Sequence, residues 1–201
     1  MKVLIGIASH EIQHVESLRS CYLMECEPYD ELDDKWKNRG DIAREAILER
    51  ILGDVSYGPD DALLLLDADQ KVPQDLLKRL RAHDMDMVCA HYYARDAENI
   101  QSMCFEIGDG QWPFHPYKEP PKEGLHQIAL TGFGSVLIKK KVLQAVRDET
   151  PAGKRTMGTD FLFFYWAYLL GFKLWLDADL ESKHAVTLWL DHETAERLKD
   201  D

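Results

Sequence analysis

The sequence is short of cysteine, of basic charge and of long apolar runs, and each shortage excludes something. Its four cysteines, Cys21, Cys26, Cys89 and Cys104, include no Cys-x-x-Cys pair. Zinc clusters are built on such pairs, so that class is set aside. A reducing, cytoplasmic setting is the default expectation. Lys and Arg number 24 against 36 Asp and Glu, for a net charge of −12. A free-standing nucleic-acid binder needs a basic face, which leaves only a local basic patch for such a partner. The opening MKVLIGIASHE holds too short an apolar stretch for a signal peptide. The longest uncharged run, FLFFYWAYLLGF at Phe161–Phe172, is too short to span a bilayer. It reads as a buried helix, with a helix resting on a membrane surface as the alternative. No low-complexity tract occurs, and the one repeat is the tetrapeptide LDAD. What remains, 201 residues at 45% hydrophobic, suits one domain with a real core.

The pattern along the chain is α/β. KVLIGIAS reads as a buried strand. Glu11–Glu25 reads as a helix with Ile12, Val15, Leu18 and Tyr22 on its apolar face. The charged stretch Glu27–Arg39 reads as a loop. Asp41 is placed to cap a second helix that buries Ile42, Ala46, Ile47 and Ile51 and ends at Gly53. ALLLLD is a second strand, Pro73 opens a helix over Gln74–Ala82, and DMVCAHYY is a third strand. This βαβαβ order predicts parallel strands. Beyond it, SMCFEI, HQIAL, GFGSVLIKK and FKLWLD read as strands. Lys139–Arg147 and Thr159–Leu170 read as helices, the second stopped by Gly171. The loop GDGQWPFHPYKEPPKEG is long enough to be functional, through Trp112, Phe114, His115 and Tyr117, or to be pinned down by the same aromatics. Residues 1–186 are expected to form a single domain, with 1–100 and 101–186 as its two halves and 187–201 as a polar tail.

Asp67 and Asp69 follow a four-leucine run. Period-two geometry would point both to one side of a strand end, where open α/β sheets bind ligands. Two carboxylates that close call for a cation or a proton. A hard divalent ion answers that need and also holds a diphosphate. Two solvated turn carboxylates would satisfy the same pattern. So would a phosphohydrolase of the haloacid dehalogenase type, although there Thr or Val usually follows two residues on, where Lys71 stands here.

The succession KVLIGIASHE, GDIAREAILERIL, DALLLLDADQKVPQDLLKRL, MDMVCAHYYARD, ALTGFGSVLIKKKVL and MGTDFLFFYWAYLLGFKLWLDADLESKH resembles the GT-A glycosyltransferases, family 2 above all. The resemblance covers about Lys2 to His184. It implies the GT-A, Rossmann-like fold, a mixed central sheet flanked by helices. It implies a metal-dependent transferase that moves a sugar from a nucleotide-sugar, here a UDP-sugar, to an acceptor hydroxyl with inversion. Ala8, Ser9 and His10 match the loop that cups the nucleotide. Arg44 matches a helix residue facing it. Asp69 matches the principal ligand of Mn2+ or Mg2+, with Asp67 and His184 beside it. Gly132 and Gly134 match the turn along the donor sugar. Asp160 matches the catalytic base, with Thr159 in place of the usual Glu. Lys154 and Arg155 are candidates to close over the diphosphate. In the second LDAD, Asp177 is expected to be structural and Asp179 solvated. Members of this kind act on glycans, lipid-linked sugars, proteins or modified DNA bases, and the sequence does not choose among these or set an oligomeric state. A non-catalytic nucleotide-sugar-binding module is the other reading.

Overall fold

A computed structural model of the chain describes residues 1–9, 15–36, 39–94, 101–108 and 114–185. The elements in order are β1 (Val3–Ser9), α1 (Val15–Tyr22), β2 (Glu31–Trp36), α2 (Gly40–Gly53), β3 (Ala62–Asp67), β4 (Gln70–Lys71) and α3 (Leu76–Ala82). Then come β5 (Met87–His91), β6 (Phe105–Ile107), β7 (Phe114–Pro116), β8 (Leu125–Ile128) and β9 (Ser135–Lys139). α4 (Lys140–Glu149), α5 (Asp160–Leu169), β10 (Leu174–Glu181) and β11 (Lys183–His184) complete the series. Seven strands form one mixed sheet in the order β2-β1-β3-β9-β5-β10-β8. β1 is parallel to β2 and β3, as the βαβ reading predicts. β5 does not continue that run. Antiparallel β9, from the second half of the chain, lies between β3 and β5.

The four-leucine run explains itself by alternation. Leu63 and Leu65 join the core under α2, α4 and α5, with Ile47, Leu143, Phe163 and Phe164. Leu64 and Leu66 join the opposite core under α1 and α3, with Cys21, Leu76, Leu77 and Leu80. A strand covered on both faces has no polar side, which is why β3 carries no period-two signal.

Four expectations change. The stretch read as a loop at Glu27–Arg39 contains β2, an edge strand parallel to β1. Its charges hid it, but they are matched: Glu31 by Lys2 and Arg50, Asp33 by Lys35 and Arg50, Asp34 by Ser9. Charged edges of this kind also resist pairing with a stray strand. In α1 the buried residues are Ser17 and Cys21, while Val15 and Tyr22 are exposed; Ile12 lies outside the described residues. Asp41 is not a cap; it sits in the first turn of α2 and pairs with Arg39 and Arg155. α5 buries only one face, through Phe163, Phe164 and Ala167, and leaves Leu162 and Leu169 exposed, as is Leu170 just past its end. The stop at Gly171 is as expected, with φ +83°. Among the described residues no helix is long and apolar enough to cross a membrane.

The two LDAD copies part company here. Asp177 is buried on β10, takes both Arg79 contacts at 3.0 and 3.1 Å, and lies 3.0 Å from His83 Nε2. It ties α3 to the sheet. Asp179 is exposed, accepting one hydrogen bond from the Gly124 amide. Asp177→Ala takes the carboxylate partner from both Arg79 and His83 and should lower stability by on the order of 2 kcal/mol. Asp179→Ala should stay within about 0.5 kcal/mol of the parent. Urea unfolding of both variants checks the contrast, and equal losses would contradict it.

Candidate functional site

Ala8, near the end of β1, lies opposite Asp67 at the end of β3. Between parallel strands this is the crevice where open α/β sheets take their ligands. Ser9 is buried and donates its hydroxyl to Asp34 at 2.9 Å, bringing the end of β2 into the same crevice. Asp34 was missed in the sequence because four charges in six residues of ELDDKW read as loop. His10 lies outside the described residues.

Arg44 projects from α2 and sets Nη2 2.7 Å from Asp67 Oδ1. Its guanidinium also lies over the Phe133 ring, 5.4 Å from the centroid. Because β3 ends at Asp67, Ala68 and Asp69 belong to a turn, and the period-two argument stops applying. The two carboxylates take different partners. Asp67 goes to Arg44, and Asp69 goes to His184.

Asp69 Oδ1 stands 3.3 Å from His184 Nε2. The short β4–β11 ladder makes this contact, with Gln70 opposite His184, and the Ala185 amide donates to the Asp69 carbonyl at 2.8 Å. His184 Nδ1 lies 2.9 Å from the Tyr93 carbonyl oxygen. A carbonyl only accepts, so Nδ1 carries a hydrogen and Nε2 is the nitrogen turned to Asp69. Metal-binding histidines are oriented in this way, by a hydrogen bond from the other ring nitrogen. Burial lowers the His184 pKa, but the bonds to Asp69 and to the Tyr93 carbonyl outweigh it, and the net direction is upward. Among the described residues no three His, Cys, Asp or Glu gather as a metal cage. The pair of donors still fits Mg2+ or Mn2+ of the kind bound through one or two side chains plus substrate phosphates.

Asp160 opens α5, and Thr159 caps that helix by accepting from the Leu162 amide at 3.2 Å. Thr159 is therefore accounted for as a cap. The Asp160 carboxylate accepts the Phe161 amide at 2.9 Å. Burial raises its pKa, and Asp67 adds to the rise against the opposing pull of the Phe161 amide and Arg44. Gly132 and Gly134 sit where side chains have no room. A Cβ on Gly132 would fall 2.0 Å from Tyr92 Oη and 3.2 Å from Asp160 Oδ2, and one on Gly134 would fall 2.0 Å from Gln70 Nε2. Tyr92 and Gln70 gave no signal in the sequence.

The remaining candidates stand apart. Arg155 is engaged 2.8 Å from Asp41, and Lys154 is exposed on the same turn. Phe114 is buried against Tyr165 and Tyr168 of α5, so it pins its loop to the domain. His115 is exposed, Tyr117 is packed against the core, and Trp112 lies outside the described residues.

No family model matches the chain, and no curated protein matches it. Solved structures do. The crystal structure of A197 from STIV aligns at a TM-score of 0.65 and 19% identity, over 93% of this chain and 87% of that one. The crystal structure of GalNAc-T7 with UDP, GalNAc and Mn2+ aligns at 0.62 and 12% identity, over 93% of this chain and 44% of that one. At these identities the likeness establishes the fold. The chain has the GT-A fold, a mixed sheet flanked by helices, as the resemblance implied.

Asp160 gives a stability prediction with a definite sign. Its folded pKa lies above its unfolded value, so folding penalises the carboxylate, and stability falls as pH rises from the unfolded value through the folded one. Asp160→Asn removes the penalty. It should raise the melting temperature at pH 7 and leave it unchanged near about pH 2, where the carboxyl is protonated in both states. A lowered melting temperature at pH 7 would contradict this reading of the site.

Proposed function

We propose that this GT-A-fold chain is a glycosyltransferase. It moves a sugar from a nucleotide-sugar donor, a UDP-sugar, to an acceptor hydroxyl, using Mn2+ or Mg2+ held by Asp69 and His184. The observation that carries the reading is the Asp69–His184 pair, with its second ring nitrogen tied to the Tyr93 carbonyl, beside Asp67, Arg44 and Asp160. The alignment with a GalNAc-T7 structure containing UDP, GalNAc and Mn2+ supports it.

Asp69 and His184 would hold the divalent ion, which when bound would supply positive charge against the diphosphate of the leaving group. The chain's own residues do the rest. Ala8 and Ser9 border the nucleotide. Asp67 would reach the ribose or the hydration shell of that ion. Arg44 balances Asp67 and Asp160 until the diphosphate arrives, and then offers that anion its charge. Gly132 and Gly134 let the backbone come close to the sugar. Asp160 takes the proton of the acceptor hydroxyl as its oxygen attacks the anomeric carbon, and the nucleoside diphosphate leaves from the opposite face. A raised pKa suits that role, because it makes the carboxylate a stronger base. A phosphohydrolase would instead use Asp67 as nucleophile, and the Arg44 ion pair at 2.7 Å weighs against it.

A thermal-shift panel of UDP and UDP-sugars with and without Mn2+, run alongside a UDP-release assay, tests the proposal. Binding to the native state raises the melting temperature, by the equivalent of about 2.7 kcal/mol at a hundred times Kd. Asp69→Asn and His184→Ala should each abolish the Mn2+-dependent part. Asp160→Asn should keep the shift and lose about 100- to 10,000-fold in UDP release. No Mn2+-dependent shift with any nucleotide would overturn the proposal. Binding without turnover in the parent chain would identify a binding module instead.

A further inference from the structure

Tyr92 follows the last residue of β5 and is 3% exposed. Its hydroxyl accepts the Gly134 amide at 3.2 Å. Its ring and that of His184 stand roughly perpendicular, with centroids 5.9 Å apart and planes at 79°. It fills the space that a side chain at Gly132 would need. One side chain therefore touches the turn at Gly132–Gly134, His184, and the neighbourhood of Asp160. The same turn is gripped from two more sides. The Asp67 amide donates to the Gly134 carbonyl at 3.3 Å, and Gln70 packs against the Gly134 α-carbon. Gln70 in turn accepts from the Ser135 hydroxyl at 2.8 Å and stands opposite His184 across the β4–β11 ladder.

A phenylalanine would fill the same space and spare the burial of a hydroxyl, which is costly unless that group is bonded. Here the hydroxyl is bonded, and its bond to the Gly134 amide fixes a turn.

From this geometry we infer that Tyr92 is the positioning residue of the site. Its hydroxyl holds the Gly132–Gly134 turn in register with His184, so that the turn along the donor sugar and the metal-binding histidine keep one fixed spacing. The inference rests on the proposed function for its catalytic meaning, but the coupling itself is a property of the ligand-free chain. Tyr92 acts through Gly134 and His184 and touches no reacting atom.

The test uses the full chain and Tyr92→Phe, which keeps the ring and removes the hydroxyl. In the ligand-free protein, hydrogen exchange of the Gly134 amide should quicken by about fivefold or more, while the His184 ring nitrogen resonances stay in place. With Mn2+, UDP should bind within about twofold of the parent, and UDP-sugars should bind about fivefold more weakly. A merely structural role would weaken UDP and UDP-sugars together. Unchanged Gly134 exchange would overturn the inference, whatever the ligands do. So would an equal loss of UDP and UDP-sugar affinity. If the parent binds no nucleotide at all, the proposed function falls, and the Gly134 exchange still decides whether Tyr92 holds the turn.

Discussion

Three carboxylates, Asp67 and Asp69 at and just past the end of β3 and Asp160 at the start of α5, are brought to one end of the sheet, and like charges gathered there repel unless something answers them. The arrangement around them is a set of answers. Arg44 reaches from α2 to Asp67 and is close enough to feel Asp160. His184 reaches from β11 to Asp69. Asp160 is held by the Phe161 amide at the start of a helix, where a negative charge is also favoured. The compensation is incomplete, because Asp160 remains penalised by burial and by Asp67. On the proposed reading, the Asp69–His184 pair beside these carboxylates is where a hard cation would sit. A cation there would in turn hold the diphosphate of the proposed nucleotide donor.

The fold exists to make that gathering possible. β1 and β3 lie side by side, so their ends open on one crevice. β9 enters between β3 and β5 in the antiparallel sense, which puts the Gly132–Gly134 turn, at its start, beside the end of β3. β10 pairs with β5 and then breaks register before Glu181, and the chain swings over to pair β11 with β4. That detour carries His184 to Asp69. Asp177, earlier on the same strand, is spent on anchoring α3 through Arg79 and His83.

Much of this was legible in residues whose signal is local. The buried strands β1, β3 and β5, the stop at Gly171 and the helix start at Asp160 all announce themselves by apolar runs or turn chemistry. β2 did not, because its charges are answered by partners distant in sequence, ion pairs with Lys2 and Arg50 and a hydrogen bond from Ser9. The outward turn of Val15 and Tyr22 followed from how α1 packs, which periodicity alone does not fix. Asp67, Asp69 and His184 could be picked out as candidates. Their division into an Arg44 pair and a His184 pair depends on β3 ending at Asp67, a boundary set by the sheet. Tyr92 and Gln70 carry no motif at all, and only their contacts with the glycine turn reveal them.

The central claim is that His184 and Asp69 hold the cation on which a nucleotide diphosphate sits. Pulsed electron paramagnetic resonance of the full chain with Mn2+ and UDP reads it directly. The account predicts hyperfine coupling from one imidazole nitrogen together with coupling from the diphosphate phosphorus, and the loss of the nitrogen signal in His184→Ala. Mn2+ bound to UDP on the protein with no nitrogen coupling would contradict it.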